Sequence, residues 1–247
     1  MAIMRLGDQP NYTWVATVSD DARTYEIEGR TLREGFSRVK MPLINTVRRK
    51  LGRDCADTRA EMIFQGNAEC VLRINDDWLR LDELTELPVA SSSEEVVSIV
   101  VQPGSVGLPP ARKSQRDEEP RHFSNLQFAI SPPHEELAII VGSHLELSVD
   151  GDMVSGQLSE LGARLLLVRD GQSDLTAVRA SGAFKIWLRA GSVRRYQVDL
   201  DGMLAITTAK SKHVTIPVRQ RTTTDLRDIG TTKVEIPEAA RAKLTGR

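Results

Sequence analysis

From about His122 onward, short alternating apolar runs are separated by turn residues every 8–12 positions. This rhythm is the sequence signature of an antiparallel β-sandwich or barrel, because period-two alternation gives each strand one buried and one wet face. Asp150-Gly151, Asp170-Gly171 and Asp201-Gly202 mark hairpin turns, since this pair tolerates the positive φ of a tight primed turn. The expected strands are Leu126–Ile130, Leu137–Val141, Leu145–Val149, Met153–Leu158, Ala163–Val168, Leu175–Arg179, Ala183–Arg189, Val193–Val198, Met203–Thr208, Val214–Val218 and Lys233–Ile236. Pro237 can open a last short helix through Leu244.

The first third reads differently, and the whole is expected to be mainly β with a small α+β N-terminal domain. Tyr12, Trp14, Ala16 and Val18 alternate as a half-buried strand, and Tyr25 and Ile27 follow Asp20-Asp21 as its return. Leu32, Phe36, Val39, Leu43, Val47 and Leu51 then recur at steps of three and four, which predicts a helical stripe. Thr31 with Glu34 fits a capping box, Pro42 should split the stripe in two, and Gly52 fits a C-terminal cap. Strands are expected at Met62–Gln65, Cys70–Ile74 and Trp78–Leu81. The domains are therefore 1–87 and 122–247. Between them, 88–121 is rich in Pro, Gly, Ser and charge and reads as a linker, with one short strand around Val96–Val101.

Catalytic patterns are sparse. There is no Gly-rich phosphate loop and no G-x-S-x-G elbow, and His134-Glu135-Glu136 lacks the second histidine of a zincin helix. A hydrolase would need His134 or His144 in a cleft with a carboxylate. The expectation is a protein that is not an enzyme and binds no cofactor or metal. Cys55 and Cys70 make no disulfide framework, and no apolar run approaches the ~20 residues of a membrane span, so no membrane insertion and a cytoplasmic location are expected.

The strongest functional signal is charge. The chain carries 33 Lys+Arg against 34 Asp+Glu. Yet Arg30, Arg33, Arg38, Lys40, Arg48, Arg49, Lys50 and Arg53 face only Glu34 within their own segment, a local charge of +7. Such a cluster suits an anionic partner, nucleic acid being one candidate, although cations in a last helical turn also complement the helix dipole. A second cluster lies on the expected hairpin around Ala190-Gly191. Lys185, Trp187 and Arg189 share one strand face, and a two-residue loop sets Arg194 opposite Trp187, whereas a three-residue loop sets Arg195 there. A cationic face around an indole can stack a base and pair with phosphate. The resulting reading is a non-catalytic binding or assembly module whose basic surfaces meet an anionic partner. The alternative is a structural subunit that makes only protein contacts, and self-association is expected because a many-stranded sheet must protect its edges.

Three local resemblances accompany this reading. Arg112-Lys-Ser-Gln-Arg116 with Gln157-Leu-Ser159-Glu-Leu-Gly162 resembles the paired R-x-x-x-R and [D/N]-x-S-x-x-G motifs of PilZ cyclic-dinucleotide receptors, a β-barrel family. That resemblance implies a cyclic-dinucleotide site on Arg112, Arg116, Ser159 and Gly162, with Gln157 standing where the family has Asp or Asn. Val47–Gly52 followed by β segments is similar to the end of a response-regulator winged helix, and Lys233–Leu244 to a swapped-hairpin DNA-binding motif.

Overall fold

The computed structural model describes residues 6, 11–21, 24–32, 35–42, 59–65, 69–74, 77–80, 83, 131–168, 175–207 and 213–245. The segment Arg48–Arg53, Arg33, the stretch 84–130 and the Asp170-Gly171 pair lie outside the described residues, as do the expectations placed on them.

The described residues are mainly antiparallel β. The strands are β1 (Asn11–Asp20), β2 (Thr24–Leu32), β3 (Phe36–Pro42), β4 (Arg59–Gln65), β5 (Glu69–Ile74), β6 (Asp77–Arg80), β7 (His144–Asp150), β8 (Met153–Leu158), β9 (Leu175–Arg189), β10 (Ser192–Thr207) and β11 (His213–Arg227). Three helices join them: α1 (Pro133–Ser143), α2 (Glu160–Leu167) and α3 (Glu238–Leu244). The strands form one open sheet in the order β6-β5-β4-β3-β2-β1-β11-β10-β9-β8-β7. The closed barrel and the pair of packed sheets are thus replaced by one sheet. Its two halves, from opposite ends of the sequence, join where β1 pairs with β11.

Residues paired in register share a face of the sheet, so the register fixes what each face presents. Tyr12, Trp14, Ala16 and Val18 of β1 lie on the same face as Leu226 of β11, Tyr196, Val198 and Leu200 of β10, and Phe184 and Ile186 of β9. All of these are buried in the main core, where Leu137 and Ile140 of α1 and Ala163 and Leu166 of α2 cover them. On the opposite face a second, smaller core joins Phe36, Ile63, Val71 and Trp78 to Ala240 and Leu244 of α3. The tail reaches that helix by crossing β1: Gly230 donates its N–H to the Asn11 carbonyl at 2.7 Å, and Asn11 Nδ2 donates to the Thr232 carbonyl at 2.8 Å.

Several elements depart from the sequence-based expectation. The helix expected over Leu32–Leu51 is, from Phe36 to Pro42, the strand β3. Val39 and Met41 pack into the main core and Phe36 into the second, so the start of β3 is buried on both faces, although Lys40 further along is exposed. A strand buried on both sides loses its alternation, and the step from Phe36 to Val39 imitates a helical stripe. Gly35 adopts φ +87° and donates to the Leu32 carbonyl at 3.1 Å, closing the β2–β3 turn where a capping box was expected. Leu137–Val141 and, up to Leu167, the expected strand Ala163–Val168 are helical, not extended. Pro133 occupies the first turn of α1, and the Ser159 side chain accepts from the Gly162 N–H to cap α2. Asp201-Gly202 lies within β10, so the expected neighbouring strands merge there, as they do in β9. A Cβ at Gly202 would come within 2.9 Å of Leu167 Cδ1, so this glycine serves close packing of α2. Val234–Pro237 and the residues just before them are irregular, not a strand, before α3 begins after Pro237.

Candidate anionic-partner interface

The β9–β10 hairpin is built by a two-residue loop. Ala190 and Gly191 adopt φ +49° and +73°, the left-handed pair that matches the twist of two antiparallel strands. Ser192 then faces Arg189 and Val193 faces Leu188. A register shift between Val193 and Arg195 follows, so Arg195, not Arg194, stands opposite Trp187. The bulge takes up Arg194, and a loop-length argument alone cannot foresee it. The Arg195 guanidinium lies 5.9 Å from the indole centroid, within cation–π range. Lys185, Arg189 and Arg194 are exposed around the half-buried Trp187 and enter none of the ion pairs among the described residues. One acid borders the group among the described ion pairs: Asp225 Oδ1 is 3.5 Å from Arg195 Nε.

The other basic cluster is not assembled in the same way. Arg30 and Lys40 are exposed, on β2 and β3, and Arg30 pairs in register with Arg38. Arg38 itself donates to Glu61 Oε1 at 2.5 Å and to the Glu235 carbonyl at 3.2 Å, and Arg73 reaches Glu61 Oε2 at 3.2 Å. Burial alone would raise the pKa of Glu61, but the bonds from Arg38 and Arg73 outweigh it and hold the carboxyl below its usual range. The counter-charge therefore arrives from a strand more than twenty residues away, outside any window that counts charges along the chain. Arg219 with Asp201 and Arg221 with Asp199 repeat the pattern on β11 and β10. These pairs border a shallow, open depression of about 590 Å³ lined also by Asp20, Gln157 and Ser181.

The other residues singled out from the sequence have different partners. The His134 backbone N–H donates to the Tyr12 hydroxyl at 3.4 Å, and that hydroxyl and His134 Nδ1 are hydrogen-bonded at 2.6 Å. Burial pushes the Tyr12 phenol well above its ordinary value and lowers the pKa of His134. Tyr196 donates to Glu136 Oε2 at 2.5 Å, and burial raises its pKa also. Trp14 Nε1 donates to Thr31 Oγ1 at 3.1 Å, and Thr31 and Ser37 are hydrogen-bonded at 3.1 Å. The two tyrosine contacts pin the start of α1 to the sheet, and the sequence does not reveal them because tyrosines on an apolar face read as core. His144 is exposed, with Nδ1 2.7 Å from the Val141 carbonyl. Ser159 and Gly162 of the PilZ-like pattern are engaged in capping α2, while Arg112 and Arg116 lie outside the described residues. No group of three metal-ligating side chains occurs among the described residues, and no described helix is long and apolar enough to cross a membrane.

No family model matches this chain, and no curated protein matches it either. Among solved structures, "Lipid-protein interactions in lipovitellin" is similar at 9% identity and a TM-score of 0.26, over 93% of this chain and 26% of that one.

Proposed function

We propose that this chain is a non-catalytic binding module that meets an anionic partner, single-stranded nucleic acid, on the β9–β10 face. One observation carries the reading: Trp187 lies under Arg195 with Lys185, Arg189 and Arg194 exposed around it. An indole offers any base a stacking surface, and the cations track the phosphates. The segment Arg30–Arg53 contributes less to this reading than its charge suggests, because Arg38 is held by Glu61.

Anisotropy of a labelled single strand measures it. Affinity should fall with salt at a log–log slope of about −2 to −3 for three or four phosphate contacts. Trp187→Ala should weaken binding about fivefold or more, in line with the ~1–3 kcal/mol of base stacking. The triple change Lys185→Glu, Arg189→Glu, Arg194→Glu should abolish it. No detectable binding at low salt refutes the proposal.

A structural subunit without nucleic-acid contact is the second reading. It is favoured by the cross-strand ion pairs at Arg38, Arg195, Arg219 and Arg221, which spend cations on internal partners.

A further inference from the structure

Among the described residues, the two ends of the sheet are protected unequally. At one end β6 is a four-residue strand, its Trp78 is buried beneath α3, and Lys243 of that helix pairs with Glu83 at 2.5 Å. At the other end β7 spans seven residues, every one of them exposed. Leu145, Leu147 and Val149 are 65%, 53% and 71% exposed. The strand carries no proline, lysine or arginine, the residues that commonly blunt a free edge.

The sequence of β7 is complementary to itself. Antiparallel pairing about Leu147 sets Leu147 against its own copy, Leu145 against Val149, His144 against Asp150 and Glu146 against Ser148. Apolar side chains meet apolar ones, an imidazole meets a carboxylate, and Glu146 never faces its copy directly. Shifting the centre by one residue to Glu146 or Ser148 breaks this, since Glu146 then faces itself or Leu147 faces Val149 with Asp150 opposite Glu146. The irregularity in the β7–β8 ladder falls between His144 and Glu146, so the regular ladder runs from Glu146 to Asp150, and the self-pairing rests on its central part, Leu147 against its copy with Glu146 against Ser148 on either side.

We propose that a second copy of this chain pairs with β7 across a two-fold axis through Leu147, giving one sheet continuous through both copies. Such an axis stands normal to the sheet, so the same face of each copy lies on the same side. Leu147 and Val149 face the side that α2 covers, since Gly156 and Val154 link them in register to Phe184 and Ile186. The exposed Leu161 and Leu165, one turn apart on α2, stand on that side and extend the apolar contact toward the partner. This association is independent of the anionic partner and requires none.

Because Leu147 meets itself on the axis, a charge placed there is opposed by an identical charge, and two different charges are opposed by each other. Sedimentation velocity over a concentration series should show the full chain as a dimer. Leu147→Lys and Leu147→Glu should each sediment as monomers, and their equimolar mixture should recover the dimer. A native chain that stays monomeric at every concentration overturns the proposal. So does a dimer that survives Leu147→Lys, or a mixture that remains monomeric.

Discussion

Burial of His134, next to Tyr12, makes stability depend on pH. The folded chain holds His134 below its ordinary value, so folding favours the neutral ring. That contribution is complete above pH ~6.5 and is lost as the pH falls through the folded value. Thermal melts should therefore show a stability decline below pH ~6.5 that is flattened in His134→Gln. Glu61 acts in the same direction at lower pH, since its carboxyl is also held below its usual range. Cys70 is raised by burial to about 12, so at pH ~8 it should resist alkylation until denaturant is added. Rapid labelling of Cys70 in the native protein, followed by peptide mapping, would contradict this. Gly29 is fixed by space: a Cβ there would lie 2.0 Å from Trp14 Cε2. Gly29→Ala should cost at least the ~1–3 kcal/mol of an overpacked core, measured by urea unfolding. His134 stands out in the sequence, but its partner does not: a buried tyrosine and a crowded glycine look ordinary until their spatial neighbours are known.

At the scale of elements, legibility follows the number of buried faces. β1 is legible because only one of its faces is buried, leaving alternation intact from Tyr12 to Val18. β8 has the bounds that its alternation implies, and the turn between β7 and β8 carries Gly151 at φ +57° as its Asp-Gly pair suggests. β3 reads as a helix because α3, two hundred residues later, buries Phe36 on its second face and so breaks the alternation at its start. α1 and α2 read as strands because five or six apolar residues cannot distinguish a short helix from a buried strand by period alone. Pro133 and Ser159 are the signals that point the other way, one suited to a first turn and the other to a cap. The candidate interface is half legible. Strand direction places Lys185, Trp187 and Arg189 together, but the bulge that brings Arg195 to the indole depends on local backbone twist. α3 is short, and its value lies in the core that it closes. Leu244→Ala should therefore cost about 2–4 kcal/mol despite its position three residues from the chain's end. A urea midpoint unchanged from the native protein would show that β3–β6 do not depend on the helix.

For the molecule as a whole, the decisive contact is the ladder between β1 and β11, where Thr13 to Asp20 pair with Arg227 to Gln220. Trp14 and Leu226 face one another across it and belong to the same core. The tail adds Thr232 on Thr13 at 2.9 Å and continues to α3 beneath the N-terminal strands. Material from residues beyond 213 is thus woven into the first quarter of the chain. Cohesion of the two ends should therefore survive a break in the middle of the sequence. A protease site inserted in 88–121 should give, after cutting, two polypeptides that co-elute and melt together, and two fragments expressed from separate genes should reconstitute one particle.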